Sequence, residues 1–80
     1  MGWLFGSLDE CDSKKYYEVS VRESDLRTTL SIIIKHGGET SSTISYQDYN
    51  CIGFMVSFKA TQKQYDAIIL DVLDNTKGLL

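Results

Sequence analysis

Between Tyr16 and Leu73 the spacing of apolar residues changes period three times, and this constrains the fold more than any motif does. In "YYEVSVR", Tyr17, Val19 and Val21 alternate with Tyr16, Glu18, Ser20 and Arg22, the period-two pattern of a half-buried strand. Leu26, Leu30, Ile33 and Ile34 then follow the i, i+4, i+7, i+8 spacing of one helical face. Ser24 is the expected N-cap of that helix, and Gly37-Gly38 its stop, where glycine supplies a positive φ. "STISY" at 42–46 reads as a second strand and "QDYN" as a polar turn. "CIGFMVSF" at 51–58 reads as a third strand that turns Ile52, Phe54, Val56 and Phe58 to the core. "TQKQ" at 61–64 is a capping box, in which the Thr61 hydroxyl and the Gln64 amide each serve a free backbone group. Tyr65, Ile68, Ile69, Val72 and Leu73 form a second helical stripe that Asn75 and Gly78 close.

The order is therefore β-α-β-β-α. Two helices with single apolar stripes and a sheet with one apolar face predict an α+β two-layer sandwich, both helices on one face of an antiparallel sheet. Over about residues 15–75 this order resembles the ferredoxin-like fold (β-α-β-β-α-β), with the last strand lacking or shortened to Gly78-Leu79-Leu80. ACT-type ligand-sensing domains and the RNA-recognition motif share that topology. In the resemblance the fourth strand lies beside the first, so the first strand is expected to keep an open edge, and open edges invite pairing. Residues 1–14 read as an apolar segment followed by an acidic connector, and residues 15–80 as a single compact domain. Trp3, Leu4 and Phe5 are expected to cover the open edge or the core beside it, within the chain or across a homodimer.

Composition narrows the function. Eighty residues carry a net charge of −3, and the sequence pI is about 4.9. That sign disfavours direct nucleic-acid binding, whose affinity rests on lysine and arginine neutralising phosphates, and it disfavours an anionic membrane surface. The N-terminus lacks the basic region of a signal peptide, and no stretch approaches the roughly 20 apolar residues of a membrane span. Cys11 and Cys51 allow one disulfide at most, whereas small secreted domains usually carry several. A cytoplasmic protein with two free thiols is expected.

The residues argue against catalysis. His36, the single histidine, falls at a helix C-terminus, where a cation meets the dipole and the free carbonyls. No serine or cysteine has the base and orienting group that a nucleophile needs. No cysteine spacing fits a metal knuckle, and Asp9, Glu10 and Asp12 lack the glycine and spacing of a calcium loop. "HGGE" runs from helix to strand, opposite to a phosphate-binding loop. The third strand lacks the basic lead residue and outward aromatics of an RNA-recognition motif, and Gly6 breaks the myristoylation pattern. No enzyme activity, cofactor or metal is expected.

Function is expected on two surfaces. One is the open sheet face, assigned Tyr16, Glu18, Ser20, Arg22, Thr43, Ser45, Cys51, Gly53, Met55 and Ser57, where Gly53 permits close backbone approach. The other is the Trp3-Leu4-Phe5 segment, since aromatics are enriched in interface hot spots. Tyr16, Glu18, Arg22, Gly53 and Met55, with Trp3, Leu4 and Phe5, are thus the candidate partner or dimer interface. Asp66, Asp71 and Asp74 on the second helix are the candidates for facing a basic partner. In size, acidity and lack of catalytic groups the chain looks like the small inhibitors that phages and mobile elements encode. A non-enzymatic protein that binds a protein partner as inhibitor or adaptor is the first expectation. The alternative is an ACT-like sensing domain with its ligand at a dimer interface near "RESDLR", held by Glu23, Asp25 and Arg27.

Overall fold

The changes of period become three strands and two helices in a computed structural model that describes residues 13–47 and 52–80. Strand β1 spans Lys15–Arg22, a 3-10 turn Glu23–Asp25, helix α1 Leu26–Lys35, β2 Glu39–Gln47, β3 Ile52–Ala60 and helix α2 Gln62–Asn75. Trp3, Leu4, Phe5, most of the expected acidic connector with Cys11, residues 48–50 of the expected turn, and Cys51 lie outside the described residues.

The sheet order is β1-β3-β2. Because β3 pairs antiparallel with both neighbours, β1 and β2 run parallel, α1 is the crossover between them, and β3 fills the gap. Tyr17, Val19 and Val21 lie opposite Phe58, Val56 and Phe54, and side chains directly opposite share a face. On that face Val19, Val21, Val56, Phe58 and Ala60 are buried with Ile32 and Ile33 of α1 and Ile68 and Val72 of α2. Tyr17 and Tyr65 stack at 4.0 Å between ring centroids, with Phe58 5.9 Å from Tyr17 and 6.2 Å from Tyr65. This gives an α+β fold with a three-stranded antiparallel sheet and two helices. Thr29, wholly buried in α1, leaves its hydroxyl without a partner among the described residues, a cost of roughly 1–3 kcal/mol.

The helix ends follow from local chemistry. Gly38 N–H donates to Ile33 O at 2.8 Å and Gly37 N–H to Ile34 O at 3.0 Å, the two bonds of a Schellman motif. Gly37 sits at φ +85°, where a side chain costs about 1–2 kcal/mol. Both bonds of the capping box are present in α2, Thr61 N–H to Gln64 Oε1 at 2.9 Å and Gln64 N–H to Thr61 Oγ1 at 3.2 Å.

Several expectations are corrected. Ser24 is not the N-cap of α1. The chain enters through the 3-10 turn, Asp25 takes the cap position without a side-chain bond to the helix, and its carboxylate accepts the Lys77 N–H instead. The stripe of α1 includes Ile32 and leaves Ile34 exposed, because α1 turns the Ile32 side toward α2. Leu73 is likewise outside the stripe of α2, and Ile52 is exposed at the end of β3. Register reverses β2. Thr43 lies opposite Val56 and Ser45 opposite Phe54, on the helix face, while Ile44 lies opposite Met55 on the open face. A bulge between Thr40 and Ser42 shifts the alternation that a short run of serine and threonine cannot itself declare.

The outer edge of β1 is not bare. Leu80 N–H donates to Ser20 O at 2.8 Å. The Arg22 guanidinium donates to the carbonyls of Lys77 and Gly78, both at 3.2 Å, and Asp25 accepts from Lys77 N–H at 3.2 Å. Gly78 makes the turn at φ +96°. The segment after α2 is thus clasped along the outer edge of β1.

Candidate interaction surfaces

The open sheet face gathers the candidates of β1 and β3. Arg22 lies opposite Gly53, Ser20 opposite Met55, Glu18 opposite Ser57 and Tyr16 opposite Lys59. Lys59 Nζ stands 5.6 Å from the centroid of the exposed Tyr16 ring, a cation–π contact that partly covers it. Met55 has Ser20 on one side and Ile44 on the other. Register therefore joins Glu18, Tyr16 and Met55 on one surface, whereas the Arg22 guanidinium is engaged by the 77–78 carbonyls at its end.

The three aspartates of α2 separate around the helix. Asp66 and Asp74 are exposed. Asp71 instead faces α1, where its Oδ2 is 2.9 Å from His36 Nε2 and 3.4 Å from Lys35 Nζ. A carboxylate only accepts, so the His36 Nε2–H donates, which fixes the tautomer or makes the ring an imidazolium. The hydrogen bond from His36, followed by the Lys35 charge, holds the Asp71 carboxyl below its ordinary value of 3.8 despite partial burial. His36 thus caps α1 and ties it to α2. A carboxylate with a depressed pKa stabilises the fold above its unfolded value and loses that contribution as pH falls through the folded one. Asp71→Asn is expected to flatten the acid limb of stability below about pH 4 in urea titrations at stepped pH. An unchanged acid limb would contradict the linkage.

Between Asp66 and Asp74 the outer face of α2 presents Leu70, 69% exposed, and Leu73, 50% exposed. Positions 66, 70, 73 and 74 follow the i, i+4, i+7, i+8 spacing of one helical face, on the side away from Ile68 and Val72. The core spacing passes over Leu70. The signal was present, since it is a leucine outside the 65, 68, 69, 72 stripe.

On the opposite flank of α2 an open groove of about 580 Å³ runs between the helices, lined by Arg27, Thr28, Ser31, Ile32, Lys35, Asp71 and Asn75. Glu23 and Asp25 are not part of its lining, and Asp25 is committed to the 77–80 clasp. Among the described residues no helix is long and apolar enough to cross a membrane. No protein-family model matches the chain, and no curated protein matches it.

Proposed function

We propose that the chain is a small non-enzymatic interaction protein, an inhibitor or adaptor that binds another protein through the outer face of α2. The observation that carries this reading is the pair of exposed leucines bracketed by exposed carboxylates, Leu70 and Leu73 between Asp66 and Asp74. An apolar centre with a charged rim is the anatomy of an interface. The carboxylates of that rim, which also holds the exposed Lys63 one turn before Asp66, suit a partner whose apolar pocket is edged by lysine or arginine. The commitment of His36, the single histidine, to a bridge between helices supports the absence of catalysis. The parallel β1 and β2 with β3 between them, and the 78–80 tail on the outer edge of β1, support a ferredoxin-like fold with its last strand shortened. The net charge of −3 supports a protein with no direct hold on nucleic acid, and two cysteines in 80 residues suit a reducing, cytoplasmic setting. In size and acidity the chain is of the kind phages and mobile elements encode against host systems.

The test compares what the immobilised full chain retains from cell extract with what its variants retain. The Leu70→Ala/Leu73→Ala pair is expected to lower retention of a specific protein at least tenfold, about 1.4 kcal/mol. Asp66→Asn/Asp74→Asn is expected to weaken it further at low salt than at high salt. Both pairs lie on the surface, so stability moves by less than about 0.5 kcal/mol per site. Equal retention by all variants would overturn the assignment of this face.

A second reading has one observation in its favour. The groove beside Arg27 falls within the range of roughly 300–1,000 Å³ of small-molecule pockets, which suits an ACT-like sensing domain. A sharp thermal shift with a single amino acid or nucleotide, lost in Arg27→Ala, would favour sensing over the interaction reading.

A further inference from the structure

Sheet edges in natural proteins are guarded by charge, proline, bulges or cover, and the two edges of this sheet differ sharply in that respect. The outer edge of β1 carries Lys15, Glu18 and Arg22 and is clasped by the 77–80 segment. The outer edge of β2 has no partner among the described residues. Its sequence, "ETSSTISYQ", holds one charge, Glu39, at its very start, and Lys14 pairs with that carboxylate at 3.3 Å. From Thr40 to Gln47 there is neither charge nor proline. The bulge at Thr40/Ser42 guards only the first residues and leaves 42–47 extended.

From these observations we infer that β2 pairs antiparallel with β2 of a second copy of this chain, about a twofold axis at Ile44. The occupant is chosen by charge and by the side chains that meet. In a chain of net charge −3, β2 is the strand a second acidic copy approaches without repulsion. An axis at Ile44 sets the two Glu39 carboxylates ten residue steps apart, about 34 Å, well beyond the screening length of roughly 8–10 Å. Ile44 is 59% exposed and lies beside Met55 on the open face. The axis brings the two Ile44 side chains opposite each other, completing an apolar row Met55–Ile44–Ile44–Met55 across the joint. Directly opposed apolar side chains are the unit of sheet stabilisation. An axis perpendicular to the sheet keeps the helices of both copies on one side and gives one continuous six-stranded sheet.

Light scattering on the full chain across a range of concentrations is expected to give twice the 9.1 kDa chain mass. Ile44→Lys and Ile44→Glu each place like charges opposite one another, and each alone is expected to raise the dimer dissociation constant at least tenfold and run as a monomer. Because Ile44 is exposed, far-UV circular dichroism of both variants is expected to match that of the parent. Mixing the two variants sets lysine against glutamate and is expected to restore the dimer. A parent chain that stays monomeric overturns the inference, including one whose β2 amides are protected only by an added foreign peptide. Variants that stay dimeric alone, or that fail to recover the dimer on mixing, overturn it equally.

Discussion

Phe58→Ala is expected to remove about 3–5 kcal/mol of folding stability, as for other buried phenylalanines cut to alanine. Phe58 is wholly buried at the centre of the sheet, opposite Tyr17 on β1 and near Tyr65 on α2. Its removal opens a cavity that backbone pairing on both sides of β3 prevents from closing. It also takes away two aromatic contacts, each worth about 0.5–1.5 kcal/mol. An 80-residue domain has about 4–12 kcal/mol in total, so the variant stands near the limit of folding. Urea denaturation reads the loss as a lowered midpoint at unchanged slope. A loss under 1 kcal/mol would mean that the three rings do not form the centre of the core.

Gly38→Ala is the second large effect, and it acts through overpacking. A Cβ on Gly38 would stand 2.7 Å from Ile33 Cγ2, 3.0 Å from Ile33 O and 3.4 Å from Ile68 Cδ1. None of these neighbours is the free end of a flexible surface side chain. Ile33 O accepts the Gly38 N–H, and both isoleucines are wholly buried. The added methyl therefore either breaks the Schellman bond or pushes α1 off Ile68, at a cost of about 1–3 kcal/mol. Thermal unfolding of the variant checks this, and an unchanged midpoint would contradict the close approach.

How much of this was legible depended on the strength of each local signal. β1 is readable because Tyr17, Val19 and Val21 alternate with polar residues without interruption. The C-terminus of α1 and the N-terminus of α2 are readable because Gly37-Gly38 and Thr61/Gln64 carry their own chemistry. The start of α1 is not, since its cap position makes no side-chain bond. β2 was not readable in its facing, since serine and threonine mark neither side and the bulge shifts the register. Apolar spacing puts Ile34, Leu73 and Ile52 in the core, where the structure does not, because it records only that a side chain is apolar. Which flank of a helix meets a second layer is decided by the other helix. The edge of β1 depended on contacts of Arg22 and Asp25 with Lys77 and Gly78, more than 50 positions away, and local pattern does not report such separations.

The surfaces divide the same way. Tyr16, Glu18, Gly53 and Met55 share the open face because strand alternation carries through the register of β1 with β3. Asp66, Asp71 and Asp74 look alike in sequence, yet a helix turns Asp71 through about 100° per residue away from its neighbours. That rotation delivers Asp71 to His36 and Lys35 and leaves the other two beside Leu70 and Leu73.

The measurement that tests the interaction reading most directly is site-specific photo-crosslinking of the full chain in the cells that make it. A photoreactive residue is placed at position 73 in one variant and at position 31, exposed in the groove on the opposite flank of α2, in another. The account predicts one discrete protein adduct from position 73, absent from position 31 and lost when Asp66 and Asp74 are neutralised. No adduct from position 73, or the same adduct with equal yield from position 31, would contradict it.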